Sequence, residues 1–237
     1  MSLSPKFFFC VFLVVQSYNP TGVLSSAIDD ANAALNDLRE NVNNGLNDAL
    51  KTGYTVMAQK IDSTIEVTRT NGSEVISSSS DNYLARYEEI KKSAEDSGVD
   101  VSKCVEIFEA KLKNLASVNI KGLIDCVDTQ TDASIDHIGS SSSILLGNFL
   151  SRVFSFEKQV LKCKDDACLS AVTGEISRTS AAILSKINYA VEVDASKMQY
   201  YHSIITTCGV KFTSVADGQG KSYVNGFQEC VNSLFHI

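Results

Sequence analysis

From Thr21 to Ile237 the chain contains no proline, and its only two, Pro5 and Pro20, lie in the first 20 residues. An average composition would place roughly ten in a stretch of that length. Proline lacks the N–H that a helix interior needs and collides with the preceding turn, so its absence removes the strongest obstacle to long helices. It also excludes a proline-rich linker or polyproline scaffold. An all-β sandwich is disfavoured, because its many turns draw on Gly and Pro, and 13 glycines do not make up the deficit.

The apolar residues point the same way. They recur at Ile28, Ala31, Leu35, Leu38, Val42, Leu46, Leu50, Tyr54, Met57, Ile61 and Ile65, a mean step of about 3.7, which is helical. Ser26 with Asp29 resembles a capping box. This first helix is expected to run about 40 residues, or about 60 Å. Breaks are expected at Asn71-Gly72-Ser73, Ser77 to Ser80, Asp96-Ser97-Gly98, Ala116 to Asn119, Gly139 to Ser143 and Asp217-Gly218-Gln219-Gly220, all rich in turn-forming residues. The run from Leu145 to Leu161 is the most apolar after the N-terminus, and its wide face predicts a central place in the core. The expected fold is all-α: an elongated bundle of long antiparallel helices and helical hairpins.

The N-terminus reads differently. Lys6 precedes a nine-residue apolar stretch, Phe7 to Val15, followed by small residues Ser17, Gly22 and Ser25. The stretch is too short to span a bilayer and has the layout of a secretory signal peptide. Cleavage is expected after Ser25, with Val23 at −3, which leaves residues 26–237 as a single helical secreted domain. No later run approaches spanning length. Loss of Lys6 leaves 20 basic against 28 acidic residues, a net −8. An acidic chain without a basic cluster is a poor partner for nucleic acid.

Secretion changes the meaning of the cysteines. Cys10 leaves with the signal peptide, and Cys104, Cys126, Cys163, Cys168, Cys208 and Cys230 remain. An even number in an oxidising compartment implies three disulfides. Cys104 to Cys126 and Cys208 to Cys230 are both 22 apart, and side chains match at an offset of 104: Phe108 with Phe212, Ile120 with Val224, Gly122 with Gly226, Leu123 with Phe227, Asp125 with Glu229, Val127 with Val231. This echo suggests a duplicated helical hairpin, each closed by its own bridge, since Gln219 is the midpoint of the second pair and lies within the Asp217–Gly220 turn signal. The expected connectivity is Cys104–Cys126, Cys208–Cys230 and a local Cys163–Cys168 clip across a helix–helix turn. Asn71-Gly72-Ser73 is the only sequon, so Asn71 is the candidate glycosylation site.

Chemistry-bearing patterns are sparse. There is no C-x2-C pair and only three histidines, His137, His202 and His236, a poor set for zinc. No G-x-S-x-G, G-x-G-x-x-G or Walker pattern occurs. Asp125, Asp128, Asp132 and Asp136 line one helix face beside His137, but they spread over about 16 Å, whereas calcium needs six to eight oxygens converging on a point. They read as a solvated face. In Tyr200-Tyr201-His202, register turns Tyr201 to the core and leaves Tyr200 and His202 flanking. No catalytic residue, metal or cofactor is expected.

The signal peptide, the proline-free helical length and six cysteines in the C-terminal two thirds resemble the TsetseEP-type domain of insect secreted proteins. That resemblance covers about residues 26–237 and implies an extracellular protein of midgut or other body fluid with no assigned molecular activity. The Glu-Pro repeat tail that names the family is absent. The expected function is non-enzymatic binding of an extracellular protein, surface or glycan in gut lumen or haemolymph. One alternative is a carrier of small apolar ligands or lipids in a cavity beside the Leu145–Leu161 run. Another is a self-associating coiled coil built on residues 26–68.

Overall fold

A computed structural model describes residues 25–235. Residues 1–24 of the expected signal peptide, with Cys10, Ser17 and Gly22, lie outside the described residues, as does His236. The described chain is helical with no strand. α1 (Ser25–Asp48) passes through a π-helical segment (Ala49–Tyr54) into α2 (Thr55–Asp96), then α3 (Ser102–Lys113), α4 (Leu115–Lys162) and α5 (Asp166–Leu234) follow. Only Asn114 separates α3 from α4. The path is therefore three long runs, 25–96, 102–162 and 166–234, and the last is about 100 Å long.

Cross-helix pairs give the directions. Arg39 donates to Glu157 (Nη2–Oε1 2.7 Å, Nε–Oε1 3.0 Å) and Arg69 pairs with Asp128, so α4 runs antiparallel to the first run. Asn41 with Ser180 and Tyr83 with Asp217 show α5 running parallel to it. Leu38, Ile76, Leu123, Val127, Ile176, Ile183 and Ile205 are fully buried along the shared seam, each stabilising the bundle by about 1.5–3 kcal/mol. A second cluster at the far end gathers Tyr87, Ala94, Val101, Cys104, Leu112, Val224, Phe227 and Val231.

The π-helical segment resets the phase of the apolar stripe. Core positions in the first run are never more than four residues apart until Ala49, and the next buried position is Tyr54, five residues on. A regular α-helix would carry Tyr54 about 140° round from Ala49. One extra residue in the turn returns it to the core side. Leu50, expected inside, is only half-buried, and Ala49 takes its place.

Two turns form where the sequence signals them. α2 ends at Gly98 (φ 77°), with Val99 N–H donating to Ala94 O (3.0 Å) and Gly98 N–H to Glu95 O (2.9 Å), the paired bonds of a Schellman motif. α5 starts at Asp165, whose carboxylate accepts from Cys168 N–H at 2.8 Å, an N-cap.

The other expected breaks are corrected. Helix continues through 71–80, 139–143 and 217–220, and the interruption expected at 116–119 falls at Asn114. The reasons are local. Gly72 leaves room for Leu123, and Gly220 leaves room for the Tyr83 ring, whose hydroxyl donates to Asp217 (2.8 Å). Gln219 Oε1 accepts from Asn119 Nδ2 at 2.9 Å. Ser140, Ser142 and Ser143 donate back to carbonyls three or four residues earlier, satisfying their hydroxyls without leaving the helix. The Leu145–Leu161 run is not wholly central: Leu145, Val153, Phe156 and Val160 are buried, but Phe154 is 41 % and Leu161 85 % exposed.

The disulfides correct the expected connectivity. They are Cys104–Cys230, Cys126–Cys208 and Cys163–Cys168. Cysteines 22 apart along nearly continuous helix stand about 33 Å apart and cannot meet. The echo is a repeated helix face, not a repeated hairpin. Its two copies, on α3–α4 and on α5, pair with each other antiparallel, so the first cysteine of one meets the second of the other. Between the bridges, Phe108 sits against Gly226 and Phe212 against Gly122. The four pairs form one ladder in a single register with an approximate two-fold relation at its centre.

Candidate functional site

The π-helical segment delivers Tyr54 to the middle of the bundle, where it meets a polar layer built from all three runs. Tyr54 is 4 % exposed, and its hydroxyl donates to Asp194 Oδ2 at 2.7 Å. Asp194 Oδ1 faces His137 Nε2 at 3.9 Å and Lys197 Nζ at 3.5 Å. The His137 ring lies against Tyr201 (centroids 5.8 Å), which meets Tyr200 edge-on (5.6 Å). A connected line of side chains thus passes from exposed Tyr200 inward to Tyr54. Gly53, beside Tyr54, is packed against Val191, which holds α5 close enough for the contact.

Burial first, then the hydrogen bond and negative charge of Asp194, push the Tyr54 hydroxyl well above the ordinary tyrosine range. At neutral pH it is a fixed donor, not a base or nucleophile. The layer ties the first run to α5, because the hydrogen bond to Asp194 Oδ2 forms only when Tyr54 arrives at the same level.

Outside this layer α5 presents an uncharged line to solvent. Tyr189, Val193, Ser196, Tyr200, Ser203, Thr207 and Val210 are all exposed and step by four and three residues alternately. Tyr189, Tyr200 and Val210 are more than three-fifths exposed. The line extends for about 30 Å and contains no Asp, Glu, Lys or Arg.

The sequence-derived candidates fall as follows. Asp125, Asp128, Asp132 and Asp136 are all exposed; Asp128 pairs with Arg69, and the four do not converge. No group of three or more His, Cys, Asp or Glu placed to hold a metal ion occurs among the described residues. Asn71 is exposed, but on helix α2 and not in the expected loop. Tyr201 is half-buried with Tyr200 and His202 exposed, and His202 Nδ1 lies 2.6 Å from Thr64 Oγ1. The Tyr54–Asp194 bond has no sequence signature: the two residues are 140 positions apart, and Tyr54 reads as one more apolar position in a helix.

Neither a scan against protein-family models nor a search of curated proteins found a match for the chain. Among the described residues no helix is long and apolar enough to cross a membrane.

Proposed function

We propose that the chain is a secreted, non-enzymatic helical rod that binds other extracellular molecules along its side, in a fluid such as gut lumen or haemolymph, as the TsetseEP-type resemblance implies. The observation that carries this reading is the disulfide ladder. Two bridges spanning 126 and 82 residues fix α3–α4 against α5 in one register, and bridges of that kind persist in oxidising compartments. The uncharged line on α5, with Tyr189 and Tyr200 as aromatic anchors, is the face assigned to the partner, since exposed tyrosines are favoured at recognition surfaces. Asn71 projects from α2 to solvent, and a glycan there would leave the buried seam untouched.

The carrier alternative is less well supported, because the positions where its cavity would open are filled. Leu145, Val153, Phe156 and Val160 are buried and belong to the main core cluster.

Full-length cDNA expressed in secretory cells, followed by native mass spectrometry of the medium, tests the proposal. The expected product is secreted, starts near Ser26, carries three disulfides and has no lipid bound. Retention inside the cell overturns the secreted reading, and a stoichiometric co-purifying lipid overturns the binding-rod reading in favour of the carrier.

A further inference from the structure

The three disulfides occupy two kinds of environment. In the ladder, Cys104 and Cys208 are 0 % and 2 % exposed, and their partners Cys230 and Cys126 are half-buried between helices. The third bridge lies at the opposite end, across the α4–α5 turn. Cys168 is exposed, Cys163 is half-buried, and the four residues between them are all exposed. It closes a separation of only 5 residues.

We propose that Cys163–Cys168 is a thiol–disulfide exchange site: a reversible covalent attachment point for a low-molecular-weight thiol. The incoming thiolate attacks the Sγ of exposed Cys168. A new S–S bond forms there, the Cys163–Cys168 bond breaks, and its electron pair leaves on Cys163 Sγ. A second thiolate attacking the mixed disulfide completes the reaction. Two external thiols become one disulfide, and the bridge becomes two cysteine thiols after Cys163 and Cys168 take protons from water. Exposed Lys162 and Lys164 flank Cys163 and favour a thiolate there, while Cys168 lies in the first turn of α5, where the helix N-terminus favours a thiolate and Asp165 and Asp166 oppose it. The greater exposure of Cys168 is what selects it as the attacked sulfur.

The fold tolerates the exchange. The ladder holds α3–α4 to α5 whether or not the clip is closed, and the Asp165 cap on Cys168 N–H is independent of the sulfur. Closing so short a loop also removes the least freedom from the unfolded chain, so opening it restores the least.

The test treats the intact, three-disulfide protein with graded reduced glutathione, traps thiols by alkylation and maps the peptides. Cys163 and Cys168 are expected to label at about tenfold lower glutathione than the other four cysteines, with far-UV circular dichroism unchanged and the glutathione adduct on Cys168. Simultaneous labelling of all six cysteines, labelling of the ladder first, or labelling only as helicity is lost overturns the proposal. An adduct found on Cys163 overturns the assignment of the attacked sulfur. A Cys163→Ser variant supplies an independent check: its free Cys168 is expected to form a stable adduct with oxidised glutathione on the folded protein, and failure to do so counts against the site.

Discussion

Phe108 rests on Gly226 at a point where any Cβ would strike its ring, and Phe212 rests on Gly122 in the same way. Each ring lies one helical turn inside a disulfide, so the glycines set how closely α3–α4 approaches α5 between the bridges. Gly226→Ala or Gly122→Ala is expected to destabilise the protein by about 1–3 kcal/mol through overpacking, despite the better helix propensity of alanine. Urea unfolding of the oxidised protein measures it. Gly139→Ala, where added bulk meets nothing, is expected to be neutral or stabilising by up to about 1 kcal/mol.

The long-range bridges differ in worth from the clip. In the chain-entropy picture, removing Cys104–Cys230 by serine substitution costs about 4–5 kcal/mol, and removing Cys163–Cys168 costs about 2 kcal/mol. The ladder bridges share most of their enclosed chain, so their losses are expected not to add. Thermal unfolding of the three variants that each lack one bridge, and of the variant that lacks both ladder bridges, checks the ranking and the non-additivity.

What the sequence discloses about this fold follows from how local each feature is. The stripe from Ala31 to Ile65, the stop at Gly98 and the Cys163–Cys168 clip depend on neighbours in the chain, and all three are legible. Gly72, Gly220 and the Ser140–Ser143 run carry the composition of turns, yet what decides their conformation is Leu123, the Tyr83 ring and the serines' own back-bonding. The cysteine pairing was hidden for a geometric reason. Two equal spacings of 22 satisfy two separate hairpins and also one antiparallel ladder, and only the path through 217–220 tells them apart. Tyr54–Asp194 was hidden because the π-helical segment that aligns it leaves only a five-residue step in the apolar pattern.

Tyr87 offers a pH test. Its side chain is fully buried, packed at a tilt against Phe227 at 4.5 Å between centroids, and its hydroxyl has no hydrogen-bond partner among the described residues. Burial first, then the negative charges of Glu109, Glu88 and Glu95, push that hydroxyl up to about 12. In the unfolded chain it titrates near 10, so the unfolded state releases the proton first. The stabilisation this difference provides is complete below about pH 10 and is lost as pH rises towards about 12. Tyr87→Phe is expected to flatten that alkaline decline and, by removing an unsatisfied buried hydroxyl, to leave neutral-pH stability unchanged or up to about 1 kcal/mol higher. Urea midpoints measured across the alkaline range decide it.

Tyr54 presents the opposite case, because its hydroxyl is used. Tyr54→Phe is expected to cost about 1–2 kcal/mol, since Asp194 is largely buried and keeps only His137 and Lys197 nearby. Asp194→Asn retains an acceptor for Tyr54 and is expected to cost less. A double-mutant cycle between Tyr54→Phe and Asp194→Ala, which does remove the acceptor, isolates the pair, and a coupling indistinguishable from zero would show that the layer does not set register.

The π-helical segment itself makes the last prediction. Its extra residue exists because Ala49 and Tyr54 are five apart while both must face the core. Deleting exposed Lys51 makes the step four, which an ordinary α-helix accommodates with both side chains still inward. The deletion is therefore expected to preserve helical content and cooperative unfolding, with a loss below about 2 kcal/mol as the segment tightens against Val191. Deleting an exposed residue in regular helix, such as Glu66 in α2, turns every following core position of that run about 100° away from the seam and is expected to abolish cooperative unfolding. Circular dichroism and urea titration of the two deletions compare them directly. Equal damage from both would mean that the segment serves something other than the phase of the core.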